Sequence, residues 1–243
     1  MAGKKRSVTE ILHGIFVEVW VVVSVIVFGT LCIVVWPFNA RLSRLLGWWW
    51  NRQFLWIAGV TVEVKGREKL TPEKRYIFVA NHQSHIDIPV LIGTMQHRLS
   101  FIAKKELFTI PIFGWGMYAT GHIWIDRSNA RKAHASIQRA IKRLQKDNIS
   151  LVLFPEGTRS VDGTIGRFKQ GSFLLAQQAG VELVPIAIQN TSQLLPKHTN
   201  IIKKGIVRLT ICDPISISES MTKADISERV RGIIEGVIAA AKS

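Results

Sequence analysis

Apolar positions run almost unbroken through the first quarter of the chain and then, after Gly59, break into short runs separated by polar segments. That change of rhythm predicts two kinds of structure. From Val19 to Trp36 the stretch VWVVVSVIVFGTLCIVVW is 18 residues without a charge, which meets the lower limit for a membrane span. Lys4, Lys5 and Arg6 precede it, and Trp36-Pro37-Phe38 follows where a signal peptide would show small residues at a cleavage site. From Arg41 to Ile57, Leu42, Leu45, Leu46, Trp49 and Trp56 are interleaved with Arg41, Arg44 and Arg52, the composition of a helix lying at headgroup level. Residues 1–59 are therefore expected to form a two-helix membrane module, spanning or inserted from one side. A buried pair of globular helices is the competing reading. Cationic residues flank the apolar run on both sides, so the charge rule gives no orientation.

The remaining segment, residues 60–243, reads as one α/β domain. Strands are expected at Val60–Val64, Tyr76–Ala80, Leu99–Ala103, His122–Ile125, Ser150–Phe154, Leu183–Ile188 and Val207–Ile211. Between them Ser128 is placed to cap a helix running to about Lys146, with Ala133, Ile137, Ala140, Ile141 and Leu144 on one stripe and Arg131, Lys132, Arg139, Lys142, Arg143 and Lys146 on the other. A last helix is expected from Lys223 to about Ala241. Alternation of this kind implies a central sheet flanked by helices.

Composition sharpens the picture. Lys and Arg outnumber Asp and Glu by 32 to 17, a net charge of +15, which calls for an anionic partner. With 47% hydrophobic residues and six of the eight tryptophans before residue 57, an anionic membrane fits better than nucleic acid, for which no motif is present. The basic face of the helix after Ser128 is either a solvated surface or a contact for anionic lipid or an acidic carrier protein. The cysteines, Cys32 and Cys212, form neither a disulfide framework nor a metal motif.

Candidate chemistry gathers where strands end, as ligands do in open α/β sheets: NHQSHID after Ala80, KKEL after Ala103, IDR at Ile125, and PEGTRS after Phe154. His82 and Asp87 have the spacing of a helix mouth at which a carboxylate can bond one imidazole nitrogen and make the other a base. A histidine in a loop is more often structural, and His82, His85 and Asp87 together could also be read as metal ligands. Arg159, on a turn set by Pro155 and Gly157, has the planar fork that grips phosphate. Arg167 and Lys169 precede a helix expected near Gly171. With Lys105 and Arg127 these cations suit an anionic substrate that brings its own hydroxyl.

The ordered set Asn81-His82-x4-Asp87, GHIWIDR (Gly121–Arg127), FPEGTRS (Phe154–Ser160) and VPIAI (Val184–Ile188) resembles the glycerolipid acyltransferase family. Within it the chain is most similar to the 1-acylglycerol-3-phosphate (lysophosphatidate) acyltransferases. The resemblance implies His82 as general base with Asp87 as its partner. It implies an acceptor-phosphate site around Glu156, Gly157, Thr158 and Arg159, with help from Arg127 and Lys105. Pro185 would serve the donor side or the scaffold. His85 lies outside the family pattern, and Trp124 stands where Phe is common. The implied reaction needs no metal or other cofactor: acyl-CoA or acyl carrier protein gives its acyl group to lysophosphatidate, yielding phosphatidate at a phospholipid membrane. The site is expected to face the cytoplasm. Glycerol 3-phosphate or another lysolipid as acceptor, and a membrane-bound metal-dependent hydrolase, are the alternatives.

Overall fold

The computed structural model of the protein describes residues 7–126, 128–160, 163–218 and 220–241. In chain order its elements are α1 (Val8–Val35), α2 (Ala40–Ile57), β1 (Val60–Lys65), β2 (Ile77–Ala80), α3 (Asp87–Thr94), β3 (Leu99–Lys104), α4 (Phe113–Ala119) and β4 (Ile123–Ile125). Then follow α5 (Ala130–Lys146), β5 (Ser150–Leu153), α6 (Leu174–Ala179), β6 (Leu183–Gln189), α7 (Thr191–Leu194), β7 (Gly205–Ile211) and α8 (Lys223–Ala240). The expected α/β class is the one observed, and each expected strand is present with its ends moved by no more than two residues.

The seven strands make one sheet in the order β1-β7-β6-β2-β5-β3-β4. Pairing is parallel except between β6 and β7. Side chains alternate faces along a strand, and the two faces bury different sets. Phe78, Ala80 and Val152 point to a core shared with Val17 of α1, Phe54 and Leu55 of α2, and Val90 and Leu91 of α3. Ile77, Val79, Leu151 and Leu153 point the other way, to Ile141 and Leu144 of α5, Leu175 of α6 and Val230 of α8. The central strands β2 and β5 are buried throughout, which is why they read as continuous apolar runs rather than alternating ones.

α1 begins well before the uncharged run because Ser7 and Glu10 form a reciprocal capping box. Its 28 residues extend about 42 Å at 1.5 Å per residue, and it is long and apolar enough to cross a membrane. It also lies along the domain. Gly14, Val17, Ser24 and Cys32 are buried against neighbours, while Leu12, Ile15, Val19, Val22, Ile26 and Val34 are exposed on the other side. The inner face is fixed by hydrogen bonds as well as packing. The Trp50 indole N–H donates to Ser24 Oγ at 2.9 Å, and Ser43 Oγ lies within bonding distance of both the Cys32 and Ala119 carbonyls, at 3.1 and 3.0 Å.

Several boundaries differ from the sequence reading for local reasons. Asn129, not Ser128, caps α5, its side chain accepting the Lys132 N–H at 2.9 Å; the Ser128 N–H is turned to Asp126 Oδ1 instead. α3 starts at Asp87 because the Asp87 carboxylate holds the preceding residues in a turn. The helix expected at Gly171 begins as a 3₁₀ turn, Gln170–Phe173, before α6. α4 was not anticipated: its sequence FGWGMYA carries two glycines and no polar stripe.

Candidate active site

β2 and β5 are neighbours, paired through Val79 and Leu153, yet the chain leaves them over opposite faces. From β2 it passes through α3, on one core, to β3; from β5 it passes through α6, on the other core, to β6. Diverging connections leave a crevice at the carboxyl ends of the two strands. The segments that line it are Asn81–Asp87 and Pro155–Ser160.

Asn81 fixes the first of these. Its amide donates to the Ile188 carbonyl and accepts the Ile188 N–H, both at 2.8 Å, so the side chain extends the sheet ladder by one rung. The chain then turns, and His82 Nδ1 meets Asp87 Oδ2 at 2.8 Å. The same oxygen accepts the N–H groups of Gln83 and Ser84, each at 2.8 Å. Asp87 is fully buried at the start of α3, where the helix dipole favours an anion. A carboxylate can only accept, so the neutral imidazole carries its proton on Nδ1 and leaves the Nε2 lone pair free. Phe154 stacks on the imidazole at 4.1 Å between ring centroids. The ring is thus held from the side and from below, with 15% of the side chain exposed.

The second segment is tied to the first by Glu156. One carboxylate oxygen accepts the His82 N–H at 2.7 Å and the other the Gly166 N–H at 2.9 Å. Burial raises its pKa, while these two backbone donors pull it back. Both oxygens are therefore occupied in organising the loops, not turned to the crevice. The Ser160 N–H closes the loop by donating to the His82 carbonyl at 2.9 Å. Gly157 has φ +70°, a left-handed conformation that disfavours any side chain, and an added Cβ would stand 2.8 Å from Lys169 Nζ. Lys197, which sequence reasoning passed over, sends its ammonium to the Arg159 carbonyl at 2.9 Å. Its contact spans 38 residues, so no local signal marked it. Arg159 lies close enough to His85 for its charge, after burial and ahead of His82, to hold the His85 imidazole below its ordinary pKa.

The structure brings His82, Asp87, Glu156, Gly157 and Arg159 into one cluster, and Thr158 is exposed on the same loop. Lys105 is engaged elsewhere: its ammonium lies 3.4 Å from Asp126 Oδ2 and over the Trp124 ring. That contact helps hold the Asp126 carboxyl well below its usual range, at about 2, after the larger effect of the Ser128 hydrogen bonds. Arg127 lies outside the described residues. Among the described residues no three His, Cys, Asp or Glu side chains are grouped to hold a metal ion, so His82, His85 and Asp87 do not converge as a ligand set. A cavity of about 1170 Å³ runs between α2, α3 and α4, bounded by Leu55, Ile88, Ile92, Phe101 and Trp48 and reaching His85.

Residues 61–189 match the family model described as Acyltransferase. The chain belongs to the acyltransferase family. It is 37% identical over 172 residues to the 1-acyl-sn-glycerol-3-phosphate acyltransferase of Saccharomyces cerevisiae, covering 70% of this chain and 56% of that one. It therefore spans little more than half the length of the yeast relative. With the enzyme of the same name from Haemophilus influenzae it shares 31% identity over 85% of both chains. In three dimensions it is similar to the 1-acyl-sn-glycerophosphate (LPA) acyltransferase PlsC of Thermotoga maritima, with a TM-score of 0.82 over 97% of each chain at 25% identity.

Proposed function

We propose that this acyltransferase moves a fatty acyl group from a thioester donor, acyl-CoA or acyl carrier protein, to the sn-2 hydroxyl of lysophosphatidate, forming phosphatidate. The observation that carries the reading is the His82–Asp87 pair: a histidine whose Nδ1–H is fixed on a buried carboxylate, with its free Nε2 at a crevice beside a loop bearing Arg159. Relatives bearing the name 1-acyl-sn-glycerol-3-phosphate acyltransferase support the choice of substrate.

In this reading Nε2 of His82 takes the hydroxyl proton as the oxygen attacks the thioester carbonyl. The C–O bond forms, the tetrahedral intermediate collapses, the C–S bond breaks, and the departing thiolate recovers the proton from Nε2. Asp87 stabilises the transient imidazolium. General base assistance of this kind is worth roughly 10²–10⁴-fold. Arg159, with Lys169 and Lys197 beside its loop, balances the acceptor phosphate; Gly157 and Thr158 shape that loop, and Arg127 and Lys105 are assigned to the acceptor phosphate by the family resemblance, Lys105 after release from Asp126. Glu156 acts by holding the two segments together. The large cavity between α2 and α3 offers room for a fatty chain. Residues 1–59 act as the membrane-associating module and residues 60–243 as the acyltransferase domain, with the site at the cytoplasm-facing surface of the membrane where acyl thioesters are available.

The test is transfer by purified protein in lipid vesicles, using lysophosphatidate and a labelled acyl thioester, with glycerol 3-phosphate as a comparison acceptor. Labelled phosphatidate supports the proposal. Free fatty acid without phosphatidate, or preference for glycerol 3-phosphate, would sink it.

A further inference from the structure

The proposed reaction makes no use of the cationic face of α5. That helix carries Arg131, Lys132, Arg139, Lys142, Arg143 and Lys146 and no acidic residue. Two of the six are engaged within the fold. Arg143 pairs with Asp147 at 2.8 Å, and Arg139 lies over the Trp124 ring at 3.8 Å. Arg131, Lys132, Lys142 and Lys146 are exposed and, among the described residues, none has a carboxylate within ion-pair distance. Asp126 and Asp147, the acidic residues that flank the helix in sequence, are paired with Lys105 and Arg143.

The position of this face selects its partner. Every exposed large hydrophobic residue among those described, except Ile206, lies on α1, the α1–α2 turn, α2 or the segment Leu107–Tyr118. α1, α2 and α3 cover one side of the sheet; α5, α6 and α8 cover the other. Among the described residues α5 meets α2 only at the β4 edge of the sheet, where Arg143 and Arg44 both lie within 4 Å of where a Cβ of Gly121 would stand. The stripe of Arg131, Lys132, Lys142 and Lys146 lies on the side of α5 opposite the buried Ile137, Ala140, Ile141 and Leu144 that pack on the sheet. The α5 face is therefore turned to the aqueous side. Its cations are spread along about 22 Å of helix, much farther than the phosphates of one nucleotide extend, so a row of carboxylates on a protein surface is the complementary shape.

We infer that the cationic face of α5 docks an acidic acyl carrier protein, the donor in the reaction proposed above, on which this inference rests. The start of α5 follows β4 at the carboxyl edge of the sheet, the same edge as His82. β4 stands three strands from β2, about 14 Å at the usual strand spacing, a distance that a flexible thioester arm can cross. Association driven by such charge is steered over long range and weakened by salt.

The experiment compares wild type with the quadruple variant R131E/K132E/K142E/K146E and with the milder variant in which the same four residues become Gln. Three donors carry the same palmitoyl group: an acidic acyl carrier protein, CoA, and the uncharged N-acetylcysteamine thioester. Binding of the fluorophore-labelled carrier protein is measured separately by anisotropy, and so is binding to vesicles containing anionic lipid. The expected result is a rise of about 10- to 100-fold in KM for the carrier-protein donor, a parallel loss of carrier binding, and unchanged rates with the uncharged thioester and with palmitoyl-CoA. The Gln variant should fall between, and its deficit should shrink with salt. Unchanged carrier binding in the Glu variant overturns the inference. So does an equal loss with palmitoyl-CoA, which marks a phosphate site, or a loss confined to anionic vesicles, which marks a lipid contact. If wild type transfers from none of the donors, the proposed function fails, and the anisotropy measurement still decides whether α5 binds the carrier.

Discussion

Asn81 holds Ile188 by both of its backbone groups. The side-chain amide donates to one and accepts from the other at 2.8 Å, and Asn81 is fully buried. His82, the next residue, owes its position to this rung, because it leaves the sheet from a point already fixed on β6. Asp in place of Asn would still accept the Ile188 N–H but would set a carboxylate oxygen against the Ile188 carbonyl. Asn81→Asp should lower stability by about 1–3 kcal/mol, read as a shift in the urea midpoint in mild detergent, and should reduce transfer. A variant of unchanged stability would show that the rung does not hold the crevice.

Glu156 binds two backbone N–H groups with two oxygens, one donor on each side of the crevice. Gln offers one acceptor and one NH₂, so in Glu156→Gln one backbone N–H must face another donor. The expected loss in kcat/KM is about ten- to hundredfold, the equivalent of 1.4–3 kcal/mol. Full activity in this variant would mean that the two segments are registered by something other than this carboxylate.

At Gly157 the conflict lies in the backbone more than in space, since the neighbouring Lys169 ammonium is the end of a flexible side chain. A φ of +70° costs an L-residue roughly 1–2 kcal/mol. Gly157→Ala should raise KM for the phosphate-bearing acceptor while leaving KM for the donor unchanged. Steady-state kinetics with each substrate varied in turn separates the two.

His122 gives a pH dependence with a definite sign. Its Nδ1 faces the Phe101 N–H at 3.3 Å, which can only donate, so the folded ring is neutral with its proton on Nε2. Burial, then the charge of Arg143, pushes its pKa down to about 4, and the residue borders the cavity. The unfolded chain takes up this proton near pH 6.5 and the folded chain only near 4. Stability should therefore fall as pH drops from about 6.5 to 4 and level off below that. The contribution is at most about 3.4 kcal/mol, from 1.36 kcal/mol per pKa unit over about 2.5 units. Unfolding of wild type and His122→Gln across this range should differ in slope, with the variant flatter. Parallel curves would contradict the assignment.

How much was legible in the sequence depended on distance along the chain. The strands were readable because buried parallel strands are apolar runs bounded by turns. His82 and Asp87 were readable as a pair because they stand five residues apart, across one turn. The two oxygens of Glu156 were not, since their partners are backbone groups 74 and 10 residues away. Lys197 and the Asn81–Ile188 rung were hidden for the same reason. Ser128 and Asn129 are both good helix caps, and only the competing Asp126 carboxylate decided between them. α4 was invisible because its glycines are required by contact: Gly116 passes close to Gly29 of α1, and Gly114 fits against the Leu107 and Phe108 backbone.

The central claim is that His82 removes the acceptor proton while Asp87 holds it in place. The most direct measurement is the single-turnover rate of phosphatidate formation for wild type, His82→Ala and Asp87→Asn, with lysophosphatidate binding measured on the same preparations. Losses of about 10²–10⁴-fold in both variants, with acceptor binding retained, are the predicted result. Transfer by His82→Ala at the wild-type rate would contradict the account and place the proton acceptor elsewhere in the crevice.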